Sequence, residues 1–437
     1  MLMQQRWPRA WHRRPGAIGH SSLSWGRFSQ TPSVKPNAFS GSIESRQSWL
    51  VAAAVLVILT FSYGAPLVTT IALKDIANDL GSPRSVPALA ASLVWLGSGI
   101  GAIGFGLVAE KVGFRWIVAF GAIAIGAGLA VSAVGGPDQL VIGHLLLIGL
   151  LGAGAINIPL MVYISRWFDR RRGSALALVT SGQYLAGALW PALITMGIQS
   201  LGWRSTMLVI GAITTIAILP VAVFALVRPP KGRVEAADWI SIQKHASISG
   251  MPRALVFALL CLAGFLCCVP MAMPSAHLVA LCGDLGIATS KGALMLSVLL
   301  GSAFLSRQFW GWLADRVGGL WTVLAGSSCQ ALALAGFVLT QDEIGLFTIA
   351  AAFGLGFSGI IPAYVVVLRE LYPAHEASWR VPVWFFVNLC GMAFGGWFAG
   401  YIYDQQFSYA PAFLSGVAFN VANIAVIGWL ISRQTRC

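Results

Sequence analysis

Twelve apolar runs of about twenty residues, each parted from the next by a short polar stretch, leave this chain few ways to fold. A helix rises about 1.5 Å per residue and bilayer hydrocarbon is about 30 Å thick, so each run has the length of one crossing. The runs fall near residues 49–71, 86–109, 116–134, 140–164, 174–200 and 206–227, then 254–278, 293–314, 320–340, 345–368, 381–403 and 410–432. The sequence is 57% hydrophobic and only 10% charged, with mean hydropathy +0.78, too little charge to solvate a globular surface. The expected fold class is an all-α membrane protein with 12 transmembrane helices.

The net charge of +13 does not point to nucleic acid, because the basic residues sit in short loops between apolar runs and form no aromatic-basic groove. It reads instead as an orientation signal. The amino-terminal stretch, the loops after the second, fourth, sixth, eighth and tenth runs, and the carboxy terminus hold 23 Lys and Arg. The opposite side has only Lys74, Arg84, Arg204 and Lys291. By the positive-inside rule both termini are cytoplasmic, in a multi-pass protein of the cell (inner) membrane. Residues 1–48 are expected to be a disordered basic cytoplasmic tail, although an organelle transit peptide shares their Arg- and Ser-rich, acid-poor composition. The expected domains are a six-helix bundle at 49–227, a cytoplasmic linker at 228–253 with Pro229, Pro230 and five basic residues, a second six-helix bundle at 254–432, and a cytoplasmic tail at 433–437. Seven cysteines show no metal-type spacing with histidine, so no cofactor is implied.

The two halves look like copies. Gly106-Leu107-Val108-Ala109-Glu110-Lys111-Val112-Gly113 precedes Gly311-Trp312-Leu313-Ala314-Asp315-Arg316-Val317-Gly318 by 205 positions, and Asp79-Leu80-Gly81 precedes Asp284-Leu285-Gly286 by the same offset. An offset of 203 places Ile158-Pro159 on Ile361-Pro362 and Arg166 on Arg369. Such repeats imply two pseudo-symmetric bundles about an axis near the membrane normal, with a ligand between them at mid-depth. In the repeated loop, Gly113 and Gly318 are expected to turn the backbone, and Gly106 and Gly311 to permit close helix approach. The carboxylates of Glu110 and Asp315 are expected to receive hydrogen bonds from a neighbouring helix end or arginine, and the gating motif continues with Lys111 and Arg115 in the first copy and Arg316 in the second. Gly97 and Gly101 in the second run, and Gly391 and Gly395 in the eleventh, are expected sliding surfaces.

One charge lies well inside a run. Arg307 is about seven residues, or ~10 Å of helix, from the end of 293–314. A guanidinium in hydrocarbon costs at least ~2.5 to 3.5 kcal/mol, so it is expected to face a watery, protein-lined site and meet an anion. Asn157, Gln183, Tyr184 and Asn388 are further polar candidates for lining that site, and Pro66, Pro270 and Pro274 are expected kinks. His144 and His277 are expected at the outer ends of their spans in interfacial packing, and Trp167 at the membrane interface.

The parallel six-helix repeat with the G-x-x-x-D-R-x-G loop resembles the major facilitator superfamily over about residues 49–432. Glu110 replaces the aspartate in the first copy, and Leu320 stands where a basic residue is usual in the second. Phe61-Ser62-Tyr63-Gly64-Ala65-Pro66 is similar to the F-S-Y-x-x-P stretch of monocarboxylate transporters. That resemblance places Tyr63 in the substrate pathway and makes Arg307, four residues before Gly311, the partner of a substrate carboxylate. The oxalate/formate exchangers use an arginine in the same helix. Leu67 replaces the lysine and Ala303 the aspartate of the proton-linked carriers, and the eleventh run offers Asn388 rather than a second cation. One buried positive charge suits a monoanion. The expectation is therefore a non-enzymatic carrier of small organic anions working by alternating access, with coupling open between uniport, exchange and symport. An exporter of drug-like compounds is the alternative, and a receptor or channel the alternative of another class.

Overall fold

A computed structural model of the chain describes residues 44–168, 171–228, 247–248 and 250–435. Most of the basic amino-terminal tail, Asp169, Arg170, the bulk of the linker with Pro229 and Pro230, and the last two residues lie outside the described residues. Among the described residues, eleven helices are long and apolar enough to cross a membrane. The difference from twelve arises at one place. Ser174–Ala225 is a single 52-residue stretch, because no loop separates the runs at 174–200 and 206–227. The chain turns there on Gly202 alone, whose φ of 76° and ψ of 166° leave the helical region.

The helices in chain order are α1 (Arg46–Gly64), α2 (Leu67–Ile71), α3 (Leu73–Asp79), α4 (Ser85–Val112), α5 (Phe114–Val134) and α6 (Pro137–Ile142). An eleven-residue π-helical stretch, π1 (Gly143–Ala153), leads into α7 (Gly154–Ser165), then α8 (Arg172–Thr180) and α9 (Gly182–Ala225). The second half holds α10 (Arg253–Asp284), α11 (Thr289–Val317), α12 (Gly319–Leu339), α13 (Glu343–Phe357), α14 (Ile360–Leu371), α15 (Ala374–Gln406) and α16 (Ala410–Arg433). Two short strands, β1 (Ser247–Ile248) and β2 (Gln434–Thr435), pair antiparallel and tie the end of the linker to the carboxy terminus.

The repeat is written in the backbone as well as in the residues. Seven described residues have positive φ, and six of them fall into pairs 205 apart: Gly81 with Gly286, Gly113 with Gly318, and Gly202 with Phe407. Gly250, in the linker, is the seventh. A positive φ strains any residue with a Cβ, so glycine fills all but one of these turns. Helix packing repeats too. In the first half α4 packs on π1 and α9 packs on both α1 and α5, while in the second α11 packs on α13, α10 on α15, and α12 on α16. The halves meet through α4 against α15 and through α9 against α11.

The expected sliding glycines serve a different contact. A Cβ on Gly97 or Gly101 would strike backbone atoms of π1, and one on Gly391 or Gly395 would strike the backbone of α10. These glycines lock helices within one half. The face one to five residues along makes the junction: Gly99 lies against Phe386 and Leu389, Gly396 against Ser92, and Gly400 against Ser85 and Ala88. A helix turns about 100° per residue, so a two-residue step selects the other face.

Candidate functional site

Arg307 is half-buried on α11 at the α9–α11 junction between the halves. Its Nη2 donates to Thr180 Oγ1 at 3.2 Å, and its guanidinium carbon stands 5.2 Å from the centre of the Tyr184 ring. Thr180 closes α8, and the helix loosens for one residue at Ser181 before α9 begins. On the neighbouring position of α11, Ser306 Oγ lies 2.7 Å from Ser358 Oγ, where α13 gives way to α14. Adjacent residues of α11 thus touch interruptions in two other crossings. Interrupted helices inside an apolar bundle expose backbone groups that a polar guest can use.

Tyr63 belongs to the same neighbourhood, within electrostatic reach of Tyr184 and Arg307. Its ring stands 6.3 Å from that of Trp95 on α4. It sits one residue before the end of α1 at Gly64, and a two-residue turn, Ala65 and Pro66, leads on into α2. Tyr184 is packed edge-on to Phe357 from α13, with ring centres 6.1 Å apart. The structure thus brings Arg307, Tyr63 and Tyr184 together and adds Thr180, Trp95 and Phe357. Sequence reasoning missed those three because a threonine, a tryptophan and a phenylalanine inside apolar runs carry no signal of their own.

The remaining candidates are placed less directly. Asn157 is buried and accepts from Ser62 Oγ at 3.0 Å, so it joins α7 to α1. Gln183 is half-buried beside Tyr184. Asn388 on α15 is 3% exposed and its carboxamide has no hydrogen-bond partner. Its Oδ1 lies against Gly264 of α10, where a Cβ would come within 2.2 Å. α10 runs through Pro270 and Pro274 as one continuous helix. An apolar groove of about 800 Å³ between α11, α12 and α13 is lined by Leu305, Phe309, Cys329 and Leu332 on the opposite face of α11 from Arg307, and carries no charge to meet an anion.

At the end of the molecule bearing the repeated loops, Gly113 and Gly318 have φ of 100° and 87°, as a turn at that point requires. The two acids differ. Glu110 is gripped by the Arg166 fork, one bond at 2.9 Å and one shorter. Asp315 and Arg316 are exposed, the latter over the Trp312 ring at 4.7 Å, and Glu370 instead accepts from the Gly319 backbone to cap α12. Lys111 is exposed and Arg115 half-buried. A Cβ on Gly106 or Gly311 would meet nothing within 4 Å, so the close approach expected there is not made in this conformation. Trp167 is 2% exposed, turned inward against Tyr163 rather than toward lipid headgroups.

The other end is tied across the halves. Asp284 of α10 takes the Arg84 fork at 2.5 and 2.8 Å and Lys74 Nζ at 2.8 Å. Asp404 of α15 accepts from the backbone N–H of Arg84 and of Ser85, both at 2.8 Å, so one half caps a helix of the other. The Arg84 guanidinium lies 3.9 Å from the centre of the Tyr403 ring. Burial works against its charge, but bonds to Asp284 and Tyr409 outweigh that and hold it above its ordinary range. A partly buried, bidentate pair backed by helix caps exceeds the ~0.2 to 1 kcal/mol of an exposed ion pair. The repeated aspartates have diverged: Asp79 pairs with Arg204 at 2.9 Å inside its own half. His144 and His277 also lie at this end. Both are fully buried and hydrogen-bonded, not interfacial, since each has helix partners on both ring nitrogens.

A family model described as Major Facilitator Superfamily matches residues 50–304 and again 260–436, so it covers both copies. The chain belongs to the Major Facilitator Superfamily. Within it, this member is 29% identical over 363 residues to monocarboxylate transporter 13 of Rattus norvegicus, a match covering 77% of this chain and 79% of the relative. It is 25% identical over 433 residues to monocarboxylate transporter 11 of Homo sapiens (93% and 86% covered) and 24% identical over 353 residues to the uncharacterized MFS-type transporter YcxA of Bacillus subtilis (76% and 83%). Its fold is that of solved superfamily structures. The nucleoside transporter NupG superposes with TM-score 0.68 at 14% identity, covering 89% of this chain and 99% of that one. A bacterial homolog of the lysosomal transporter Spinster, inward-facing and unoccupied, gives 0.66 at 15% identity with 89% and 96% covered. This superfamily member is a multi-pass membrane transporter.

Proposed function

We propose that this transporter carries small organic anions of the monocarboxylate type by alternating access, with Arg307 as the counter-charge of the substrate. The observation that carries the reading is the position of that guanidinium: at the junction of the halves, held by Thr180 and faced by Tyr184, with Tyr63 in range. A single cation with hydroxyl and ring partners, and no carboxylate paired with it among the described residues, matches a monoanion. Similarity to proteins named monocarboxylate transporters 13 and 11 supports the substrate class.

In this reading the arms of Ser174–Ala225 on either side of Gly202 are separate crossings, giving twelve in two six-helix bundles. The bundles rock about the α4–α15 and α9–α11 junctions. Positive-inside counting puts both termini and the Glu110 end in the cytoplasm, and the Asp284 end outside. With the Asp284 end tied and Gly106 and Gly311 unopposed, this reading makes the conformation inward-facing. The test is uptake of short monocarboxylates into proteoliposomes. Arg307→Ala is expected to abolish uptake while leaving the purified protein folded, and Arg307→Lys to restore a fraction. Undiminished uptake by the Ala variant overturns the assignment.

A further inference from the structure

His277 sits fully buried on α10 beside the Asp284 tie. Its Nε2 is 2.7 Å from the Gly396 carbonyl oxygen, so that nitrogen carries the hydrogen and donates. Nδ1 therefore offers a lone pair, and the Tyr409 hydroxyl, 3.2 Å away, donates to it. The Tyr409 oxygen accepts in turn from Arg84 Nη1 at 3.3 Å. Arg84 is the residue that grips Asp284 across the halves. The imidazole is thus one hydroxyl removed from the latch.

The charged and titratable groups facing this ring are Arg84 at the start of α4, Asp404 on α15 and Tyr409 at the start of α16, and beyond them Asp284 on α10, Lys74 on α3 and Tyr403 on α15 gather at the latch. A neutral imidazole satisfies each bond. A second ring proton, taken up at the Nδ1 lone pair, would turn the Tyr409 hydroxyl's hydrogen away and leave its oxygen accepting from two cations at once, the imidazolium and Arg84. It would also place a second cation beside Arg84. Asp404 offsets that charge only in part, because both of its oxygens already accept from the backbone of α4.

We infer that His277 is a proton-binding site whose occupation reverses the Tyr409 bond, sets a second cation against Arg84 and releases the latch between Arg84 and Asp284. The inference rests on the alternating-access reading, in that the latch must open and close, but not on Arg307 or on any substrate. Because the latched state excludes the proton and the released state accepts it, acid shifts the population toward release, by up to about tenfold per pH unit through the titration.

The test uses the full chain in nanodiscs, with its seven native cysteines replaced by alanine and spin labels on Pro83→Cys and Gln405→Cys, exposed positions in opposite halves at the latch end. The distance distribution is compared between about pH 8 and about pH 5. The longer-distance population is expected to grow with acid, and to be flat with pH in His277→Gln, which keeps an amide N–H but cannot titrate. Asp284→Asn calibrates the probe and is expected to give the longer distance at both pH values. A pH response that survives in His277→Gln, or its absence in the parent chain while Asp284→Asn opens, overturns the proton site. A short distance in Asp284→Asn at both pH values overturns the latch itself, and with it the inference.

Discussion

Arg307 and Phe407 are single residues that break a local rule, and the structure gives each a different reason. Arg307 places a charge within a crossing, and its bond to Thr180 and the Tyr184 ring meet that charge with a hydroxyl and a π face. Phe407 occupies the left-handed region at φ 52°, ψ 26°, at the position whose counterpart in the first copy is Gly202. A side chain there is 80% exposed and its backbone is strained. Phe407→Gly is therefore expected to stabilise the protein by about 1 kcal/mol, seen as a small rise in thermal midpoint in detergent; a fall would show that the ring makes a contact worth more than the strain. Gly101 is the opposite case. An added methyl would lie 2.1 Å from the Leu150 carbonyl oxygen, backbone against backbone, so Gly101→Ala is expected to lower the midpoint sharply or prevent folding.

At the scale of elements, the repeated loops show one motif in two different settings. Gly113 and Gly318 were legible because a turn between two apolar runs needs positive φ, a property of the backbone alone. Gly106 and Gly311 were legible as small residues but not as contacts, since the surface they would approach is not near them in this conformation. Leucine at either position should leave this state untouched, with an unchanged thermal midpoint, while reducing transport at least ~tenfold by obstructing the other state. Loss of thermal stability in Gly106→Leu or Gly311→Leu would place the contact here instead. The asymmetry between Glu110, bound by Arg166, and Asp315, left to solvent, arose from neighbours outside the motif.

Over the whole molecule, a handful of bonds at the end opposite those loops tie the two halves together, and under the proposed alternating access they set the conformational balance. Asp404 joins the halves by capping α4 from α15, using both carboxylate oxygens. Each such charge-assisted bond is worth about 1.5 to 3 kcal/mol, so Asp404→Ala should shift the population toward the released state by at least about tenfold. The same labels at positions 83 and 405 would read this as a longer distance, and an unchanged distribution would show that Asp284 alone holds the latch.

Crossing length, the duplicated turns and the Arg307 guanidinium well inside an apolar run were determined by the sequence, because each follows from a local quantity: apolar run length, the need for positive φ, the cost of a charge in hydrocarbon. Which copy of a repeated residue does which work was decided only by tertiary structure. Asp79 and Asp284 stand in identical tripeptides, yet one binds within its half and the other binds across. Gly97 and Gly99 share a helix but face different partners, and two histidines expected in interfacial packing are fully buried among helices. These assignments depend on the rotation and offset of one helix against another, which residues far apart in the chain set jointly and no short stretch encodes.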